Sequence, residues 1–240
     1  MDADRAAVRL PEEHQIRVED ASVSFGKEQV LKGVSFTIER GRIVGLVAPN
    51  GVGKTTLLRT ICGLEPQPKG CVLIDGASPE TPALFKKKFF FIEDVQVLNP
   101  ELSAYDYLKY VKRMWHSDVD IKMTVDTLRI ARFIKKPIKA LSLGMKQQVV
   151  LALCLVSDAP YILLDEPMNG LDPTNTRIIS QQLTRIRDCN KTVLMSSHLL
   201  GNIDALADEV LFIKGGGIAH RSTREDGMKA ADIYERLYLS

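Results

Sequence analysis

One short segment constrains the fold more than any other feature of the sequence. Residues 48–56 read Ala-Pro-Asn-Gly-Val-Gly-Lys-Thr-Thr, after the apolar run Ile43–Val47 and before the helical stretch Thr55–Cys62. A strand, a glycine-containing loop and a helix in this order are typical of a phosphate-binding loop. We therefore predict an α/β fold in which a buried strand delivers this loop to the edge of a sheet.

The loop residues have the chemistry that an anionic ligand requires. Gly51 and Gly53 allow the backbone to curl, so that N–H groups point at phosphate oxygens. Lys54 can reach the outer phosphates, and the Thr55 hydroxyl can ligate Mg²⁺. A glycine-rich turn that binds nothing is the alternative, and Ala48 departs from the glycine that usually opens this pattern. The predicted nucleotide contacts are Asn50, Gly51, Val52, Gly53, Lys54, Thr55 and Thr56.

Composition excludes several classes of protein. The 240 residues are 45% hydrophobic and 26% charged, which is typical of a folded soluble chain. A net charge of +2 gives no argument for a nucleic-acid partner. The longest apolar run, Val149–Val156, is far shorter than a membrane span. Residues 1–15 lack the apolar core of a signal peptide, so we expect a flexible N-terminal extension on a chain that stays in the cytosol.

Periodicity predicts one domain over residues 16–240 that combines strands and helices. A helical region should be inserted at about residues 96–158, because Leu102–Lys135 has helical periodicity throughout and no strand signal. The predicted strands are Ile16–Ser24, Val34–Ile38, Ile43–Val47, Cys71–Ile74, Lys88–Ile92, Tyr161–Leu164, Thr192–Met195, Glu209–Ile213 and Ile218–His220.

Two further motifs suggest catalytic chemistry. The apolar run Tyr161–Leu164 should be a strand that delivers Asp165 and Glu166 to the sheet edge where ligands bind. Asp165 can hold Mg²⁺, and Glu166 can act as the general base for an attacking water. Residues 141–148 open a helix with Leu-Ser-Leu-Gly-Met-Lys-Gln-Gln, where Ser142 and Gly144 can present donors to an anion. An acidic surface turn and an ordinary helix N-cap are the alternatives.

The order of these motifs resembles the nucleotide-binding subunit of an ATP-binding cassette (ABC) transporter over nearly all of residues 16–225. The resemblance implies a P-loop NTPase cassette with a RecA-like core, an antiparallel β portion and a helical subdomain. It also implies that ATP and Mg²⁺ are bound. By position in the family's motifs, it implies that Phe25 stacks on adenine, that His198 orients the water, and that Asp172 belongs to a loop crossing a dimer interface. The family's Leu-Ser-Gly-Gly-Gln loop contacts the γ-phosphate held by the other subunit, and the matching residues are Ser142, Gly144 and Met145.

One departure from the family pattern is acidic. Most relatives have a Gln that ligates Mg²⁺ where this chain has Glu93 and Asp94. A carboxylate ligates Mg²⁺ at least as well as an amide, so either residue is a candidate metal ligand. An acidic residue here, together with Ser-Leu-Gly-Met-Lys-Gln and Asn-Gly-Leu-Asp-Pro, resembles the bacitracin-resistance and lantibiotic-immunity subgroup.

The resemblance implies partners as well as a reaction. A second cassette should pair head to tail with this one, as a homodimer or a related heterodimer, and ATP should be hydrolysed between the two. A separate transmembrane permease should hold the pair at the cytoplasmic face of the cell membrane. The subgroup favours export of an antimicrobial peptide, a drug or a lipid-like substrate. A soluble ABC ATPase without a transport role and a weakly hydrolysing regulatory cassette are the alternatives.

Overall fold

A six-stranded sheet forms the centre of the fold, because the most apolar strands of the sequence are buried on both faces. The structure, a computed structural model, describes residues 14–65, 69–227 and 229–239. The strands are β1 (Gln15–Phe25), β2 (Glu28–Glu39), β3 (Ile43–Val47), β4 (Lys69–Ile74), β5 (Phe89–Ile92), β6 (Tyr161–Leu164), β7 (Thr192–Ser196), β8 (Glu209–Lys214) and β9 (Gly217–Thr223).

Helices follow most strands of this sheet and cover its two faces. Parallel neighbours need crossover connections, which here are largely helical. The helices are α1 (Lys54–Ile61), α2 (Pro82–Phe85), α3 (Ala104–Trp115), α4 (Ile121–Leu128), α5 (Leu143–Ser157), α6 (Pro173–Asp188), α7 (Leu200–Leu206) and α8 (Ala230–Tyr238).

The central sheet has the strand order β5-β6-β7-β3-β8-β9. The first five strands in this order run parallel to one another, and β9 pairs antiparallel with β8. The register places Leu164 of β6 beside Met195 of β7. Because β3, β6 and β7 are parallel neighbours, the loops that follow them open at the same edge of the sheet.

A second, antiparallel sheet has the strand order β2-β1-β4. Helix α1 contributes Leu57, Leu58 and Ile61 to a core that it shares with this sheet and with one face of the central sheet. The helix is therefore held from both sides, which fixes the direction of the loop that precedes it. This packing places the end of β1 close to the phosphate loop.

The chain between β5 and β6 is helical, as the sequence predicts. Helix α5 is apolar on nearly all sides and is buried along most of its length, as expected of a helix within a core. Trp115, at the end of α3, donates from Nε1 to the Phe89 carbonyl at 3.2 Å, and its ring lies 5.1 Å from that of Phe90. These contacts attach the helical region to the edge of the central sheet.

The predicted P-loop cassette fold is confirmed, and one predicted boundary shifts. The extension predicted over residues 1–15 lies outside the described residues up to position 13. Gln15 belongs to β1, where it pairs with Glu39 and is buried. The strand thus begins inside the predicted extension, because backbone pairing with β2 continues past the last apolar residue of the pattern. Within residues 14–65, 69–227 and 229–239, each helix is too short or too polar to span a bilayer.

Candidate active site

The phosphate loop has a backbone that only glycine adopts easily. Gly51 and Gly53 have φ values of 81° and 111°. A Cβ atom at Gly53 would lie 2.9 Å from Val30 Cγ1, so an alanine there would meet both strain and a clash. Gly53 is also the N-cap of α1 and supplies no capping side chain. The first N–H groups of α1 are therefore free to bind an anion.

Lys54 lies inside the loop with its ammonium group buried. Its Nζ donates to the Ala48 carbonyl at 2.9 Å, the Pro49 carbonyl at 3.3 Å and Asn50 Oδ1 at 3.4 Å. These acceptors hold the positive charge at the centre of the loop. A phosphate oxygen that entered the loop would meet this charge together with the N–H groups of α1.

A hydroxyl and a carboxylate meet where the resemblance places Mg²⁺. Thr55 Oγ1 donates a short hydrogen bond to Asp165 Oδ2, and Ser196 Oγ donates another to Asp165 Oδ1. Hydroxyl and carboxylate oxygens suit Mg²⁺, which usually takes one or two protein ligands and completes its shell with water and substrate phosphates. Among the described residues, no group of three or more His, Cys, Asp and Glu could hold a metal. The oxygen donors of Thr55 and Asp165 fit Mg²⁺.

Glu166 and His198 form a pair beside this network. His198 Nδ1 lies 2.8 Å from Glu166 Oε2, and the other carboxylate oxygen lies 3.6 Å from Lys54 Nζ. That second oxygen is buried and has no hydrogen bond to any described residue. Glu166 also has a φ of 48°, an uncommon conformation that concentrates at functional sites. The pair thus leaves one carboxylate oxygen available to accept a proton from a water.

Phe25 completes a cavity that contains the phosphate loop. Phe25, at the end of β1, lines a cavity of about 380 Å³ together with Asn50, Thr56 and Glu166. Its side chain is 49% exposed, which is high for an aromatic residue. An exposed ring on one side and phosphate-binding groups on the other suit a ligand with a flat base and a phosphate tail.

Glu93 and Asp94 line a neighbouring cavity of about 450 Å³ that also reaches Asp165 and Glu166. Each carboxylate already has a partner. Glu93 Oε2 lies 3.5 Å from Arg59 Nη1, and Asp94 Oδ1 accepts a hydrogen bond from the Gln96 backbone at 2.7 Å. The structure therefore places both acidic residues beside the candidate metal site, with local contacts that any metal would share.

The residues of the 141–145 loop lie outside the cavity of the phosphate loop. Ser142 is exposed and is the N-cap of α5, accepting from the Met145 N–H at 3.3 Å. Gly144 is buried, because α5 packs so closely on α6 that a Cβ atom there would lie 2.6 Å from the side chain of Asn175. Met145 packs against the core of the helical region. Leu143 lines the cavity of Glu93 and Asp94, whereas Ser142 and Gly144 line neither that cavity nor the cavity of the phosphate loop.

Asp172 caps α6. Its Oδ1 accepts from the Thr174 and Asn175 N–H groups at 2.8 and 3.0 Å, and Oδ2 accepts from the Asn175 side chain. Hydrogen bonds from Asn175, first from its backbone, lower the pKa of Asp172 below its ordinary value. The carboxylate therefore stays charged and caps the first turn of α6.

The structure also brings in residues that the sequence analysis did not assign. Ser196 accepts from the Glu166 N–H at 2.8 Å and donates to Asp165, so it orients both acidic residues. Asn175 connects Asp172 to Gln148 of α5. The sequence shows only that Ser196 lies at the end of a predicted strand. Its contacts with Asp165 and Glu166 depend on β7 lying beside β6, which local sequence patterns do not reveal.

Comparison with known proteins identifies the family. Residues 31–169 match the family described as ABC transporter. The lantibiotic transport ATP-binding protein SrtF of Streptococcus pyogenes is 31% identical over 204 residues, which cover 85% of this chain and 88% of that protein. The ABC transporter ATP-binding protein NatA of Bacillus subtilis is 32% identical over 221 residues, covering 88% of this chain and 90% of NatA.

A solved structure agrees with the sequence comparisons. The structure described as the ATP-binding subunit of an ABC transporter superposes with a TM-score of 0.85 at 24% identity, covering 92% of this chain and 98% of the other. At that identity the likeness shows the fold, and the family match and the relatives supply the class. The chain belongs to the ABC transporter family, as an ATP-binding cassette of its ATPase class.

Proposed function

We propose that this cassette hydrolyses Mg²⁺-ATP at a head-to-tail dimer interface and powers export through a separate membrane subunit. The observation that carries the catalytic part is the contact between Glu166 and His198 beside Lys54. Lys54 begins α1 after the loop that follows β3, whereas Glu166 and His198 follow β6 and β7, and the three side chains converge beside the phosphate loop. The catalytic residues of the proposal are Glu166 and His198.

The chain's residues divide the work of the reaction. Lys54 and the N–H groups of the loop bind the β- and γ-phosphates, and Phe25 stacks on the base. Glu166 accepts a proton from the water as the water oxygen bonds to the γ-phosphorus and ADP leaves. His198 holds Glu166 in position for that transfer. Mg²⁺, held at Thr55 and Asp165, would neutralise phosphate charge.

The position of Ser142 supports the dimer. Ser142 is exposed, and neither it nor Gly144 lines the cavity of their own phosphate loop, which favours contact with ATP on a partner. In the proposed dimer, Ser142 and the first turn of α5 bind the γ-phosphate held by the partner's loop, and Asp172 positions the loop that crosses the interface. Because both cassettes then bind the same phosphate, ATP favours the closed dimer, and hydrolysis releases it.

Export at the membrane rests on the relatives and on the acidic residues near Asp165. SrtF is by name a lantibiotic transport protein. This chain also has Glu93 and Asp94 at the position where the predicted subgroup is acidic. We propose that a transmembrane permease docks near the cavity of Glu93 and Gln96 and holds the pair at the cytoplasmic face of the membrane. The proposed cargo is an antimicrobial peptide, a drug or a lipid-like molecule.

The experiment that tests this function is purification of the tagged chain from detergent-solubilised native membranes, with mass spectrometry of the proteins that copurify. We expect a polytopic membrane protein in near-stoichiometric amount. Recovery of ribosomes, DNA or soluble proteins alone would contradict the transport role. The same preparation of the Lys54→Ala variant separates assembly from turnover, because the membrane protein should still copurify while ATP hydrolysis is lost.

A further inference from the structure

A cavity between the helical region and α6 carries a concentration of positive charge. It has a volume of about 500 Å³ and lies between the end of α4, α5 and one face of α6. It shares no lining residue with the cavity of the phosphate loop. The side chains that matter for its chemistry are Arg129, Arg132, Gln148, Arg177, Gln182 and Arg185.

The local structure explains why the arginines face a common space. Arg177 and Arg185 lie eight residues apart on α6, which is slightly more than two turns, so they project from the same face. Arg129 follows α4 in a left-handed conformation with a φ of 55°, and Arg132 lies in the turn after it. Two separate segments therefore supply cations to one cavity.

None of this charge is neutralised within the part of the chain that the structure describes. Across residues 14–65, 69–227 and 229–239, no Asp or Glu lines the cavity, and none of its four arginines has an ion pair. Four guanidinium groups around one cavity repel each other and raise the local positive potential. All four arginines are exposed, so solvent screens part of this repulsion, and the positive potential that remains favours an anion as occupant.

Two glutamine amides add hydrogen-bonding groups to the cavity. Gln182 lines the cavity and is only 7% exposed, and its side chain makes no hydrogen bond to the described residues. Its amide is not among the buried polar atoms without a partner, so it reaches solvent and is available to a ligand. Gln148, equally buried, has one long hydrogen bond of 3.5 Å to Asn175 and further capacity to bond. A bound anion would accept hydrogen bonds from the Nε2 groups of both glutamines.

We propose that this cavity binds a phosphorylated small molecule that carries at least two negative charges. Guanidinium groups bind phosphate through paired N–H donors, and phosphate oxygens accept from several directions at once. A volume of about 500 Å³ lies in the range of small-molecule sites, so the occupant is larger than a single phosphate ion. The ligand joins α6 of the core to α4 and α5 of the helical region.

Titration calorimetry with inorganic tripolyphosphate tests the site. The phosphate loop binds the same probe, so every protein carries Lys54→Ala to weaken that contribution. The test protein adds Arg177→Gln and Arg185→Gln. The matched control adds Arg113→Gln and Lys135→Gln, which remove the same charge from exposed positions outside the cavity. We expect the test pair to weaken binding at least about tenfold and the control pair to leave it within about threefold.

Three results would overturn the proposal. Equal affinity in the test and control proteins would show that the arginines are an ordinary solvated face. If citrate, a tricarboxylate, bound as tightly as tripolyphosphate, the cavity would not be specific for phosphate. The third result is a double variant that binds more weakly and also melts at a lower temperature, while the single variants Arg177→Gln and Arg185→Gln bind as the control does. That result would show that the weaker binding comes from loss of folding. Because the readout is binding, the result stands whether or not the cassette hydrolyses ATP.

Discussion

The two parts of the proposed ATP site differ in how far this chain completes them alone. On the phosphate-loop side, hydrogen bonds join Thr55 to Asp165 and Glu166 to His198, and Ser196 bonds to both acidic residues. These residues lie on elements that the central sheet holds in place. On the side of the 141–145 loop, Ser142 is exposed and bonds only within its own helix turn. Contacts within this chain organise the first part, whereas in the proposed dimer the second part acts on ATP bound by the partner.

Departures from the family pattern occur on both sides. Ala48, Glu93 and Asp94 depart near the phosphate loop and Asp165, although Lys54, Asp165, Glu166 and His198 are all present. Leu143 and Met145 depart on the side of the 141–145 loop, which we call the open side. Leu143 is 40% exposed, and its Cδ2 lies 3.0 Å from where a Cβ on Gly170 would stand. In the proposed dimer, changes at Leu143 and Met145 would alter how two cassettes meet.

The largest expected effect on turnover comes from changing Glu166, on the phosphate-loop side. Glu166→Gln keeps the shape of the side chain but removes the base, so we expect turnover to fall by about 10²–10⁴-fold while ATP binding persists. Phosphate release measures turnover, and light scattering at saturating ATP should detect a stable dimer. Glu101→Gln, at an exposed residue paired with Lys139, is the control and should behave as wild type. A monomeric Glu166→Gln protein at saturating ATP would refute the dimer, and unchanged turnover would refute the base.

The open side is tested by a pair of serine variants. Ser142 and Ser103 are both helix N-caps, but only Ser142 lies in the loop assigned to the partner's phosphate. Loss of either cap should cost about 1 kcal/mol of stability. Only Ser142→Ala should also lose a hydrogen bond to a charged group, worth about 1.5–3 kcal/mol, and so lower turnover about tenfold or more. Equal turnover of Ser142→Ala and Ser103→Ala would remove the role assigned to this loop.

Packing beneath the open side gives the next prediction. Gly144→Ala would place a methyl group 2.6 Å from the side chain of Asn175, which Asp172 holds in place, and should lower the free energy of unfolding by about 1–3 kcal/mol. Chemical denaturation measures the change, and Asn175→Ala in the same protein should restore part of it. Gly201→Ala is the matched control, because Gly201 is helical and has open space around it. Equal stability of the two alanine variants would show that α5 and α6 separate easily.

The smallest expected effect concerns the acidic residues near the metal site. Glu93→Gln and Asp94→Asn each remove one charge without changing size, and the variant that loses a ligand should need several-fold more Mg²⁺ for half-maximal turnover. A Mg²⁺ titration of phosphate release measures this. Asp94→Asn should still accept the hydrogen bond from the Gln96 N–H, so a change there would report on charge. If both variants titrate as wild type, neither residue is a ligand.

Local patterns predicted the fold well and the contacts between elements less well. Strands β3 and β6 have the predicted bounds, because each is a short apolar run that is buried on both faces. The contact between Ser196 and Asp165 joins residues 31 positions apart and depends on the pairing of β6 with β7. Gly144 was assigned to ligand contact, and its close approach to Asn175 became visible only with α6 in place. The cavity of four arginines likewise requires two distant segments to meet.

Trp115 has a consequence for observing the molecule. The chain contains one Trp, and its indole lies where α3 meets β5, with its N–H on the Phe89 carbonyl and its ring against Phe90. Indole fluorescence from the whole protein therefore originates at a single junction between the helical region and the sheet. A shift in its emission maximum on adding nucleotide would report movement of that junction without any attached dye, and an unshifted spectrum would report that the junction stays closed.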